Sequence, residues 1–174
     1  TYLIENSPLI ETFTVPASVT TLGNSDFAGC TSLRSVIFEE GSKLTTVGSS
    51  TFKASGIESI TFPEGVTTFT TVKKPNVTTS NTLFQDCVNL KSVTFGSKTT
   101  FLAKQMFKGC TALESIDIPD SVETIGTECF INCTTLKSVN FGENSKVTKI
   151  GDKCFANSGL ESIVLPASFT KFGY

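Results

Sequence analysis

The 174-residue chain carries 14 basic and 16 acidic residues, no histidine and no tryptophan, and its aromatics are nearly all phenylalanine, 15 against two tyrosines. A net charge of −2, with no Lys/Arg cluster larger than Lys73-Lys74, argues against a nucleic-acid or anionic-membrane partner. The lack of any eighteen-residue apolar run excludes a membrane-spanning helix, and the missing histidine removes Ser-His-Asp and Cys-His chemistry.

A pattern is already running at Ile10 and becomes explicit at Phe27, which is followed by Leu33, Val36 and Phe38. Phe52 opens the next unit, with Ile57, Ile60 and Phe62. Phe84 leads to Leu90, Val93 and Phe95, and Phe107 to Leu113, Ile116 and Ile118. Phe130 leads to Leu136, Val139 and Phe141, and Phe155 to Leu160, Ile163 and Leu165. The anchors are spaced 25, 32, 23, 23 and 25 residues apart. Eight residues before the anchor stand Val19, Leu44, Val122 and Val147, and four before it Gly23, Gly48, Gly126 and Gly151.

A period in this range marks a solenoid, because one repeat cannot bury its apolar face alone and does so against its neighbours. Within each unit the apolar residues alternate in period two, which predicts a short strand with one face inward. Stacking coils about 4.8 Å apart then gives a parallel sheet along one side. The expectation is a mainly β solenoid, a leucine-rich-repeat array of about seven coils with the terminal ones partial and little α-helix. Residues 1–174 read as a single segment of a longer protein, because the pattern is already under way where the sequence begins and shows no polar cap.

Two places depart from the rule. Val66 to Phe84 spans 18 residues where 8 are usual, which predicts an insertion near 70–81 that leaves the coil. Before Phe107 the Val place holds Thr99, with Phe101 and Leu102 beside it, so the inward register there stays open.

The unit L-x-S-I-x-I-P-x-S-V-x-x-I-G-x-x-x-F-x-x-C, as in Leu113–Ile118 and Val122–Cys133, resembles the BspA-like leucine-rich repeats from about Ile10 to Gly173. That resemblance implies a surface-displayed solenoid of the kind found in bacteria and parasitic protists. It also implies a cell-surface or extracellular location and a role in adhesion, although the chain itself contains no signal peptide or transmembrane segment.

Cys30, Cys87, Cys110 and Cys133 each lie three residues after an anchor Phe, where Ser55 and Ser158 stand in the other units, and Cys129 and Cys154 directly precede theirs. A column of small buried thiols is the favoured reading. Disulfides between neighbouring coils and a metal or catalytic thiol are the alternatives. No phosphate-binding glycine loop, metal set or cofactor motif is present in the sequence, and no cofactor is expected.

Binding residues are expected on the outward strand positions Ser35/Ile37, Ser59/Thr61, Ser92/Thr94, Ser115/Asp117, Ser138/Asn140 and Ser162/Val164. The insertion adds Lys73, Lys74 and Asn76. Asn76-Val77-Thr78 and Asn132-Cys133-Thr134 match the glycosylation acceptor pattern, the second overlapping a buried cysteine place. The residue after each unit's first Leu or Ile alternates in sign, Glu11, Arg34, Glu58, Lys91, Glu114, Lys137 and Glu161, which predicts a charge ladder that fixes register. These features suggest a non-catalytic module that recognises a host or matrix protein. A structural spacer or an intracellular interaction scaffold is the alternative, and a hydrolase is disfavoured because no carboxylates cluster on one sheet face.

Overall fold

The structure is a computed structural model, described for residues 3–69 and 80–173. Twelve short parallel strands stack into a solenoid of about seven turns, with no helix among the described residues.

The strands of the main face are β1 (Thr12–Val15), β3 (Ser35–Phe38), β5 (Ser59–Thr61), β6 (Ser92–Thr94), β8 (Ser115–Ile118) and β10 (Ser138–Phe141). A second side is made by β2 (Thr21–Leu22), β4 (Thr46–Val47), β7 (Phe101–Leu102), β9 (Thr124–Ile125), β11 (Lys149–Ile150) and β12 (Lys171–Phe172). Register is fixed one coil at a time: Thr12 to Val15 run against Ser35 to Phe38, and Ser115 to Ile118 against Ser138 to Phe141. The main face is not one continuous sheet as the repeat pattern predicts. Its strands pair as β1–β3, β5–β6 and β8–β10, and the ladder is interrupted between the pairs.

The recurrent Phe closes the third side. Phe27, Phe52, Phe84, Phe107, Phe130 and Phe155 form an unbroken column, with neighbouring ring centres 5.0 to 5.6 Å apart and planes within 20° of parallel. At that spacing the rings sit offset, the arrangement the ring quadrupole favours. The backbone beside them stacks as well. Phe27 N–H donates to the Thr51 carbonyl, Phe84 to Met106, Phe107 to Cys129 and Phe130 to Cys154. Residues two places after the anchor hold positive φ, glycine at 29 and 109 and Ala54, Asp86, Asn132 and Asn157 elsewhere, so this tight corner recurs with mostly small or amide side chains.

Two expectations are corrected. Phe69 is buried in the core at the place of Leu22, and Ser80 bridges Lys104 while Asn81 is fully buried. Residues 80 and 81 therefore belong to the coil. The extra length sits between them and Phe69, and Lys73, Lys74 and Asn76 lie outside the described residues. The unit after Leu160 forms no strand. Ser162 and Val164 lie in an extended segment without ladder bonds to β10, and Ile163, expected inward, is partly exposed. The physical reason is the meeting of unlike turns, the Gly turn after β10 against the Pro turn at Pro166, the same mismatch that interrupts the ladder between β6 and β8. The bond from Gly159 N–H to the Cys133 carbonyl does not set this unit apart, since Gly56 N–H donates likewise to Cys30 before β5. The open question at Thr99 is resolved. Thr99 fills the Val place with no exposure, Leu102 points inward and Phe101 is half-buried.

Candidate functional site

On the strand face, Val36, Ile60, Val93, Ile116 and Val139 point into the core. The alternation of the pleat therefore sends their neighbours outward. Ser59, Thr61, Ser92, Thr94, Ser115 and Asp117 are exposed, as are Ile37 and Asn140, while Ser35 and Ser138 are half-buried. Five of the six expected pairs thus share one face, and Ser162/Val164 are exposed beyond its last strand. Side chains on this face bond only sparingly to one another: Asn140 Nδ2 donates to Asp117 Oδ1 at 2.7 Å.

The charge row is in register but only partly joined. Arg34, Glu58 and Lys91 are linked along the backbone, with Glu58 N–H donating to the Arg34 carbonyl at 3.0 Å and Lys91 N–H to the Glu58 carbonyl at 2.8 Å. Glu58 accepts Arg34 at 2.7 Å and Lys91 at 3.3 Å, and these are the ion pairs among the described residues. The Arg34 hydrogen bond, then that of Lys91, holds the Glu58 carboxyl below its usual range. The other members of the row, Glu11, Glu114, Lys137 and Glu161, are exposed.

The interruptions of the strand ladder are concave. A cleft of about 650 Å³ lies where β3 meets β5, walled by Phe38, Glu39, Phe62 and Glu64 and floored in part by Ile37. Smaller clefts open beside β6 and β8, about 390 Å³, and between β10 and residues 162–166, about 370 Å³. Sequence periodicity treats all strands alike, so it misses these clefts. The signal that locates them is the alternation of turns: a Pro turn after β1, β5 and β8, and a longer or Gly turn after β3, β6 and β10.

The cysteines are all unpaired and buried. Cys30 Sγ donates to the Ile4 carbonyl, Cys87 to Phe52, Cys110 to Phe84 and Cys133 to Phe107, at 2.9 to 3.1 Å. Each of these four thiols closes a backbone acceptor of the coil before it, whereas at the same place Ser55 Oγ meets Cys87 Sγ at 3.7 Å and Ser158 Oγ accepts from Leu160 N–H. Burial pushes the thiols up, Cys87 and Cys133 to about 12, so none is a ready nucleophile. Asn132 is half-buried in the left-handed conformation and accepts from Asn157 Nδ2 at 3.0 Å, a poor setting for a glycan.

The model for a "BspA type Leucine rich repeat region (6 copies)" matches residues 1–72 and 71–174. The chain belongs to the BspA-type leucine-rich repeat family. Among solved structures it is similar to a leucine-rich repeat protein of Bacteroides ovatus, with 30% identity, a TM-score of 0.83, and coverage of 97% of this chain and 40% of that one. A leucine-rich repeat protein of Eubacterium ventriosum gives 25%, 0.75, 94% and 41% in the same order. The T. pallidum leucine-rich repeat protein shares the fold at 19% identity and a TM-score of 0.73, over 88% of this chain and 66% of that one. The chain therefore spans about two fifths of the length of the first two. No curated protein matches it.

Proposed function

We propose that this solenoid is a non-catalytic protein-recognition module of a cell-surface leucine-rich repeat protein, which contacts a host or matrix protein through its strand face. The observation that carries this reading is the face itself: outward positions from five strands lie on one side, in register within the pairs β5–β6 and β8–β10, mostly exposed and with few bonds to one another. Membership of a family built from interaction repeats supports it. An extended, repetitive surface of this kind gathers affinity from many small contacts. Residues 70–79 are a second contact region in the same reading.

The runner-up is a structural spacer. Its support is that the face presents no Trp, Tyr or Phe, side chains that anchor tight interfaces. Solid-phase binding to immobilised matrix proteins, with the wild type beside a Ser92→Arg/Ser115→Arg variant, separates the two. Saturable binding that the variant loses supports recognition. Absence of binding, or binding indifferent to the variant, makes the segment a spacer.

A further inference from the structure

Two of the three strand-face clefts are acidic and, among the described residues, lined by no cationic side chain: Glu64, Asp117 and Asp120 line the one beside β6 and β8, and Glu39 and Glu64 the one between β3 and β5. Of these two, the one between β3 and β5 is the larger and alone sets an exposed aliphatic side chain, Ile37, beside its two carboxylates. Both carboxylates are positioned by backbone. Ala17 N–H donates to Glu39 Oε2 at 2.9 Å, and the Ser97 N–H and hydroxyl donate to Glu64 Oε2 at 2.8 and 2.7 Å. Among the described residues no donor reaches Oε1 of either.

The rest of the lining mixes Ser and Thr side chains with one exposed aliphatic. Ile37, the only large aliphatic among the outward residues of β1, β3, β5, β6, β8 and β10, is 53% exposed here beside Phe38 and Phe62. The neighbouring cations are turned elsewhere: Arg34 is held by Glu58 at 2.7 Å, and Lys98 lies near Glu64 without lining the cleft.

We propose that this cleft seats a cationic side chain, Arg or Lys, from an extended stretch of the partner polypeptide, with its methylenes over Ile37 and its head between Glu39 and Glu64. The inference rests on reading the strand face as a protein-recognition surface and names the chemistry it recognises there. A long basic side chain is the one protein group that matches both halves of the site, since its stem is apolar and its tip is charged. Two carboxylates fixed through one oxygen each offer the other oxygen without a further entropic cost, which is preorganisation of the kind that favours binding. An acidic or aliphatic partner residue would satisfy only the walls or only the floor.

The test uses the full chain and an acetylated, amidated hexapeptide of alternating valine and arginine, with its citrulline counterpart as the uncharged control. Amide shifts in 15N–1H spectra report where the peptide lands. Glu39→Gln/Glu64→Gln keeps an acceptor oxygen for Ala17 and Ser97 while removing both charges, and its spectrum shows whether the fold survives.

The proposal expects shifts confined to Ile37–Gly41 and Thr61–Gly65, with affinity falling about fivefold on citrulline exchange or in the double Gln variant, and falling further at high salt. Equal affinity for the citrulline peptide, an unaffected double variant, shifts centred on another face, or the same shifts from millimolar calcium chloride alone would each overturn it. None of those results touches the wider reading. Conversely, peptide binding in this cleft by a chain whose matrix binding ignores Ser92→Arg/Ser115→Arg would sink the wider reading and leave the cleft.

Discussion

Single side chains in this array are tested by what stands at the same place one coil away. Thr99 occupies a site that is Val19, Val122 and Val147 in other units, it is fully buried, and its Oγ1 has no partner. A buried hydroxyl without a hydrogen bond costs about 1–3 kcal/mol, so Thr99→Val should stabilise the chain by about 1 kcal/mol in urea unfolding. A loss of stability would mean that the hydroxyl is satisfied after all. The thiols make the opposite case, because four of them, Cys30, Cys87, Cys110 and Cys133, are bonded where they sit. Six thiols should be silent toward a thiol reagent in the native state at pH 8 and should all react on unfolding. Burial raises Cys87 and Cys133 to about 12, above the ordinary thiol value of about 8.5 that holds when unfolded. Their contribution to stability is therefore complete below about pH 8.5 and is lost as pH rises toward 12. A count below six on denaturation without reductant would reveal a disulfide.

At the scale of the coil, the corner before each Phe is decided by backbone contact. A Cβ on Gly48 would lie 2.6 Å from Asn24 N and from the Gly23 carbonyl carbon, because one corner rests directly on the next. Gly41 in the same coil has φ of +73° but open space around it. Gly48→Ala should cost about 3 kcal/mol from overpacking against backbone, and Gly41→Ala about 1 kcal/mol from strain alone. Equal losses in a denaturant series would show that the corners do not touch. Ala103 stands at the Gly place without harm because the coil below it is the one lengthened by residues 70–79, and there Asn81 N–H, one residue early, bonds to the Lys104 carbonyl. This explains how much could be read in advance. Phe, Leu, Val and Gly recur because the stack repeats their surroundings, so coil number, strand places and the outward face were legible in the letters. The β3–β5 cleft was not, since it arises from unlike turns in successive coils. Nor was the missing strand at 162–164, whose apolar letters match the rule while the Gly turn after β10 meets the Pro turn at Pro166.

For the molecule as a whole, an array of this kind is held together by nearest-neighbour terms, so its weakest joints are where neighbouring coils share least. The strand ladder is interrupted between β3 and β5 and again between β6 and β8. The two joints differ in what spans them. Arg34 and Glu58 bridge the first through a 2.7 Å ion pair and a backbone bond, and Lys91 extends the link to β6. Across the second, among the described residues, neither an ion pair nor a backbone bond joins Lys91 to Glu114. The alternation of charge that runs through the sequence is therefore put to use chiefly at Glu58. Glu58→Lys would set three like charges in consecutive coils at the bridged joint, whereas Glu114→Lys does so, with Lys91 and Lys137, where no close pair exists to be lost. The first should lower the melting temperature more than the second at low salt, and the gap should narrow as added salt screens the exposed charges. Because its neighbours depress the Glu58 carboxyl, the wild-type advantage over Glu58→Gln should be complete above pH 4.5, the ordinary carboxyl value, and fade as pH falls through the lower folded value. Melting curves for the three variants across salt and pH decide the matter. If Glu58→Lys and Glu114→Lys lose the same amount at every ionic strength, the ladder is only a pattern in the sequence and the joint between β3 and β5 is held by packing and its backbone bond.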